Sequence, residues 1–325
     1  MLIRNSTSKH VSYEVILLSL YGLLIFAGLI LNVSLASILL YRKLYTNITN
    51  CLILILAFSD ILLCGICTPL QTLYEVFKKL PLNDWICKIV FAFFGMPLYI
   101  SCLTVLLIAI DRYRMILHPL LPKMNRKCAV ICVSGIILFS IVNCIPVAYY
   151  MEFMELKDGT QSYCPETWSS PLIRIIYSIH VPIFLVMIPL FSTTFLYYRI
   201  YAGLRRSRSN PRIRRSKLNE RRSNRTNAIL FCNVICIILC WLPWTLYSLI
   251  LEINIYRSDP KSTYEPIHIY SHNVSIGSLD GFDHPNSFHH LFSVDLYLKM
   301  LSMLSTCINP ILYGWINNSI RNKIK

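Results

Sequence analysis

Charge is scarce in this chain. Only 14% of its 325 residues are Asp, Glu, Lys or Arg, against about 25% in an ordinary soluble domain. With 55% hydrophobic residues and a mean hydropathy of +0.54, that shortage excludes a water-soluble globule and leaves a membrane protein with few soluble parts. Catalytic constellations are also missing. No glycine-rich phosphate loop, nucleophile triad or pair of catalytic carboxylates can be argued, so the chain is not expected to be an enzyme. A cleavable signal peptide is missing too. Residues 1–12 are polar and the first apolar run is too long for one, so that run is expected to act as a signal anchor.

Long apolar runs, by contrast, are abundant. They fall at roughly 13–41, 48–77, 85–116, 127–150, 171–202, 226–252 and 289–315. Each is long enough to cross a hydrocarbon core of about 30 Å at 1.5 Å rise per residue. Backbone groups cannot be left unpaired in lipid, so runs of this length must be helices. The expected fold is an all-α bundle of seven transmembrane helices forming a single domain over 1–325. Thirteen cysteines do not make it a disulfide scaffold. Eleven lie inside apolar runs, where Cys acts as a small hydrophobe. Only Cys87 and Cys164 lie at run ends or in loops.

Seven spans put the chain ends on opposite sides, and the bases say which. Arg42 and Lys43 follow span one; Arg114, Lys123, Arg126 and Lys127 follow span three. The segment 203–225 carries ten Lys or Arg against the single acid Glu220, and the tail adds Arg321, Lys323 and Lys325. All share one face. The opposite segment 149–170 has Glu152, Glu155, Asp158 and Glu166 against Lys157 alone. The positive-inside bias therefore predicts a plasma-membrane protein with an outer N-terminus, residues 1–12. It also makes 203–225 a basic third cytoplasmic loop and accounts for the net charge of +15 without nucleic acid. Service to RNA or acidic lipid is the alternative for that loop. The segment 253–288 reads as a long outer loop and 316–325 as a short interfacial helix. Sequons at Asn5 and Asn273 fall outside and could carry glycans.

Several polar groups sit at membrane depth. Asp60 is mid-span, where a carboxylate costs a few kcal/mol or more and marks function by default. Asn32, Ser101, Ser305 and Asn309 lie at compatible depth. Together they could line a pocket for Na⁺ or a proton; a hydrogen-bonded helix clamp is the other reading. Pro69, Pro97, Pro146, Pro182, Pro189, Pro243 and Pro310 interrupt the spans, and bent helices around a cavity are expected. A transporter could use the same device, but no repeat relates the two halves of the chain. Histidines 268, 272, 284, 289 and 290 could bind Zn²⁺ only if a helix placed the first two together.

Six motifs stand in register: Asn32 after GLIL, LAFSD ending at Asp60, Trp85 and Cys87 leading to Asp111-Arg112-Tyr113, Pro189 with Tyr197, CWLP at 240–243, and NPILY at 309–313. In this order the chain resembles the rhodopsin-like G-protein-coupled receptors over essentially its whole length. Its TPLQTLYEVF, DRYRMILHP, CPETW, CWLPW and NPILYGWINNSIR segments are similar to the neuropeptide Y and neuropeptide F receptors. Departures accompany the likeness. Span four has Ile136 or Ile137 where a Trp is usual. Span six has Ile237 in place of a switch Phe. The tail has Ile320 where a Phe packs, and no Cys for palmitoylation.

The resemblance implies roles. Cys87 and Cys164 would be the disulfide tying span three to the second outer loop. Asp111 would pair with Arg112 at rest, beside Tyr113; Arg112 would swing toward Tyr197, Tyr313 and a heterotrimeric G protein when active. Arrestin is a further implied partner. Ligand contacts would come from Gln71, Tyr74, Phe94, Leu98, Trp241, Trp244, Ser248, Glu252, Asp295 and Lys299. Phe94 stands where amine receptors place Asp, which argues against an amine ligand. Glu252 would pair with a ligand arginine, so a basic, C-terminally amidated neuropeptide is expected. A lipid or other small molecule is the alternative. No cofactor is implied beyond an allosteric Na⁺ at Asp60.

Overall fold

The computed structural model describes residues 2–77, 83–122, 124–155, 162–209, 217–258 and 285–315. Six helices there are long and apolar enough to cross a membrane: Val15–Tyr41, Ile48–Leu73, Asp84–Leu117, Arg126–Tyr150, Pro171–Arg206 and Asn227–Asn254. They are spans one to six. The helix Pro285–Pro310 is span seven. All seven expected runs are therefore helical, but the helix of span one begins at Leu2, within the segment 1–12 expected to be an outer tail. The helices of spans five and six continue to Ser209 and start at Lys217, so much of the basic segment 203–225 lies on helical extensions. Residues 259–284, with Asn273 and three of the five loop histidines, lie outside the described residues, as does 316–325. The Asn5 side chain lies outside them as well.

Side-chain caps set where four spans begin. Asn47 accepts from the Thr49 amide, Asn83 from Ile86, Asn125 from Cys128 and Ser170 from Leu172. Each satisfies an orphan N–H of a first turn. Pro171 follows the last of these at the first helical position, where its missing N–H costs nothing.

The prolines act through one recurring device. Thr68, Ile188 and Leu242 each precede a proline, and each donates to a carbonyl five residues back: Leu63, Ile183 and Ile237. A proline cannot donate and its ring crowds the carbonyl four residues back. One wide turn removes both problems without breaking the rod. Pro97 acts differently. Span three pauses between Ala92 and Gly95. The Phe93 carbonyl, which Pro97 cannot serve, accepts from the Met96 amide at 3.2 Å instead. Pro146 and Pro182 sit inside helices that continue through them.

Span three is the centre of the bundle and touches spans two, four, five and six. One apolar cluster joins Leu52, Leu56, Ile108 and Leu312; a second joins Leu63, Leu98, Val186, Trp241 and Met303. Span two is 61% buried over its most apolar stretch, whereas span five is 17% and span four 22%. The remaining faces are apolar as well: Phe26, Ile131, Leu138, Val142, Phe191 and Phe195 stand exposed. Helices apolar on all sides belong in lipid.

Between spans four and five lies a hairpin that the sequence did not announce. Met154–Glu155 pairs antiparallel with Ser162–Tyr163, and a bridge joins Met151 to Glu166. The Glu152 amide donates to Pro165 and the Thr167 amide to Tyr150. This hairpin defines one end of the bundle; Arg112 lies at the other.

Candidate functional site

The hairpin is held over the bundle by a covalent tie. Cys87, fully buried near the start of span three, is disulfide-bonded to Cys164, with Cα atoms 5.8 Å apart. The other eleven cysteines are free. The pairing implied by the resemblance is the one observed.

Beneath and beside the hairpin, four of the expected ligand residues come together. Leu98 and Trp241 are core members of one cluster, and Phe94 and Trp244 pack against it. Trp244 Nε1 donates to Asp295 Oδ1 at 3.1 Å, and Asp295 Oδ2 pairs with Lys299 at 2.8 Å. Asp295 and Lys299 thus neutralise each other on span seven. Ser248 donates to the Thr245 carbonyl at 3.4 Å. Gln71 is half-buried on span two, and the Tyr74 side chain lies outside the described residues.

Glu252 has a partner within the chain. Arg174, at the start of span five, donates from Nε to Glu252 Oε2 at 2.9 Å and from Nη2 to Oε1 at 2.8 Å. This bidentate fork joins spans five and six. The sequence reading missed Arg174, because 78 residues separate the pair and a lone Arg at a span end looks like an interfacial anchor. Glu166 of the hairpin stands close by. It accepts from Trp168 Nε1 at 2.8 Å. Burial pushes its carboxyl above the usual range, and the charge of Glu252 adds to the shift. The Trp168 hydrogen bond and Arg174 oppose it. From Trp168 an unbroken series of ring contacts runs through Tyr177, His180, Phe184 and Phe139 to Tyr99 in span three.

At mid-depth, Asp60 is completely buried. Its Oδ1 accepts from Ser101 at 2.6 Å and its Oδ2 from Asn309 Nδ2 at 3.0 Å. Ser59, not anticipated, lies 2.7 Å from the Ser101 hydroxyl. Asp60, Ser101 and Asn309 border a cavity of about 40 Å³ between spans two, three, six and seven, with Ser305, Trp241 and Asn233 in its wall. That is room for a few water molecules or a small ion. Carboxylate and hydroxyl oxygens are the donor set a hard cation takes. Ser305 accepts from Trp241 Nε1 at 3.1 Å, which couples the apolar cluster of Leu98 and Trp241 to this cavity.

Asn32 departs from the expected pocket. Its amide donates to the carbonyls of Gly28, at 2.9 Å, and Thr306, at 3.0 Å. It clamps span one to span seven and makes no hydrogen bond to Asp60. Gly28 is what lets these helices close: a Cβ there would lie 2.7 Å from the Cys64 sulfur and 3.3 Å from the Thr306 hydroxyl.

At the far end, Asp111 is buried and accepts from the Thr49 hydroxyl of span two at 2.7 Å. The sequence reading gave Asp111 only to Arg112. Tyr113 sets its ring edge-on to His118. Tyr197 packs on Phe231 of span six, with centroids 5.4 Å apart. Tyr313 is buried and accepts from the Asn233 amide, also of span six. Arg112 lies near enough to act electrostatically on Tyr313. Span six thus holds both tyrosines.

A seven-helix bundle with a disulfide-tied hairpin at one end and an Asp-Arg-Tyr triplet with a buried Asp at the other defines a class. Residues 32–313 match the family described as 7 transmembrane receptor (rhodopsin family). The chain belongs to that family: it is a receptor of the G-protein-coupled type and not an enzyme. It is 27% identical to neuropeptide Y receptor type 6 of Oryctolagus cuniculus over 325 residues, covering 95% of this chain and 79% of that one. It is 26% identical to neuropeptide Y receptor type 1 of Xenopus laevis over 314 residues, covering 94% and 78%.

Proposed function

We propose that this receptor is activated by a neuropeptide, specifically a basic, C-terminally amidated one. The peptide would enter at the hairpin end, which faces outside together with the N-terminus. The observation that carries this reading is a carboxylate, Glu252, about a quarter exposed at the rim and above an aromatic floor of Phe94, Trp241 and Trp244. A carboxylate over aromatic rings suits a guanidinium beside an aromatic amide. Similarity to the neuropeptide Y receptors over nearly the whole chain supports it.

Signal transfer follows the contacts already described. Ligand resting on Trp241 acts on Ser305 through the indole N–H. Ser305 borders the Asp60 cavity, where the Asp60 carboxylate and Ser101 hydroxyl would hold Na⁺. Span six carries Trp241 and also Asn233, which grips Tyr313. Movement of span six therefore releases Tyr313 and Tyr197 together and opens Arg112 to a heterotrimeric G protein. This is a bistable element whose populations a ligand shifts. Arrestin would use the same opened face.

The test is expression in cells with a panel of peptides ending in Arg-Phe-amide or Arg-Tyr-amide, read by calcium or cyclic AMP. At least one should respond with sub-micromolar potency on the order typical of specific recognition. Silence across the panel with a response to a lipid would overturn the peptide assignment.

A further inference from the structure

At the mouth a guanidinium is paired with one carboxylate and lies within electrostatic range of a second. Arg174 forks onto both oxygens of Glu252, and both Arg174 and Glu252 act electrostatically on Glu166. All three come from different elements: span five, span six and the hairpin. A planar guanidinium facing both oxygens of a carboxylate fills the geometry in which a second guanidinium would bind best. Arg174 and Glu252 are 22% and 24% exposed, so solvent and ligand can reach the pair.

We infer that Arg174 occupies Glu252 in place of the ligand and must be displaced by a peptide arginine, with Glu166 as the berth that receives it. This rests on the reading that Glu252 faces a basic peptide. The charge balance favours the exchange. Before binding, Arg174 is held by Glu252, and Glu166 has only the Trp168 N–H as a hydrogen-bond donor. After binding, the peptide guanidinium takes Glu252 and Arg174 takes Glu166, so each carboxylate has its own cation. Bound peptide thereby breaks the direct link between spans five and six and ties span five to the hairpin instead. Arg174 is then a specificity-determining residue: neutral ligands gain nothing from displacing it, and basic ligands must outcompete it.

The arrangement makes neighbouring charges act with opposite signs, which a merely structural cluster would not do. Arg174→Gln should raise the potency of a peptide ending in Arg-Phe-amide by about tenfold or more, the worth of one charged hydrogen bond. It should leave the citrulline analogue unchanged. Glu166→Gln should lower the potency of the Arg peptide, because displaced Arg174 loses its berth. The double variant Arg174→Gln with Glu252→Gln should respond like Glu252→Gln alone. Potencies are compared at matched surface density of an epitope-tagged receptor. Equal or lower potency in Arg174→Gln, with the wild type responding, would show Arg174 positioning Glu252 or standing idle, and overturns the inference alone. Silence of both the wild type and Arg174→Gln to every peptide overturns the ligand reading and this inference with it. A response gained only by Arg174→Gln supports both.

Discussion

The hydroxyl of Thr49 donates to Oδ2 of Asp111 across 2.7 Å, and both residues are buried. Thr49 is in the first turn of span two, so Asp111 is tied to a neighbouring helix as well as standing beside Arg112. Thr49→Val keeps the shape and removes the donor. A buried acceptor left short of a partner costs about 1–3 kcal/mol, and more when charged. The midpoint of thermal unfolding in detergent should fall by on the order of a few °C. Thr49→Ser should restore most of the loss. An unchanged midpoint in Thr49→Val would mean the Asp111 carboxylate does not depend on this bond.

Gly28 makes a second prediction, with an internal control. An added Cβ would meet the Cys64 sulfur at 2.7 Å, and overpacking of a tight interface typically costs about 1–3 kcal/mol. Gly28→Ala should therefore lower stability and surface expression. Cys64→Ala removes the obstructing atom, so the double variant should recover much of what Gly28→Ala alone loses. Additive losses in the double variant would sink the steric account.

The fold was legible because lipid leaves few options. Apolar runs of the right length must be helices, and they are, although three of the helices run on past the apolar stretch into polar sequence. Asp60, Ser101 and Asn309 were legible for a related reason, since polar atoms at that depth have few places to go. Three things were not. Arg174 and Glu252 pair across 78 residues, and nothing local in either segment specifies the other. Thr49 reads as an ordinary first-turn residue until span three is packed against it. The hairpin has strands of two residues each, too short for any alternation to register. Asn32 shows the opposite error. Depth alone placed it with Asp60, but its side chain serves backbone carbonyls of spans one and seven.

The Glu166 carboxyl gives a pH dependence. Burial raises it above the ordinary range, so the folded state holds this proton more tightly than the unfolded chain does. Its contribution to stability is fully present below the unfolded carboxyl value. That contribution is lost as pH rises through the raised, folded value. Unfolding midpoints measured from pH 7 downward should rise as this group protonates. Glu166→Gln can still accept from Trp168 and should flatten that part of the profile. A profile identical to wild type would place the pH dependence on other groups.

Asp60 carries the final prediction, on sodium. The cavity beside it is bordered by four spans, including span six through Asn233 and Trp241. An ion coordinated there binds the arrangement in which those spans are close. It would bind less well once span six moves, so sodium held there would favour the resting state; by linkage, activation would weaken sodium. Basal nucleotide exchange in receptor membranes should fall when N-methylglucamine is replaced by sodium at constant ionic strength. Coupling of this kind is commonly about fivefold or more. Asp60→Asn removes the charge while leaving an oxygen that can still accept from Ser101, so it should abolish the sodium effect without abolishing the fold. Ser101→Ala removes one hydroxyl and keeps the carboxylate, and should weaken the effect in part. If Asp60→Asn kept full sodium sensitivity, the ion would act elsewhere and Asp60 would be left as a clamp between spans two, three and seven.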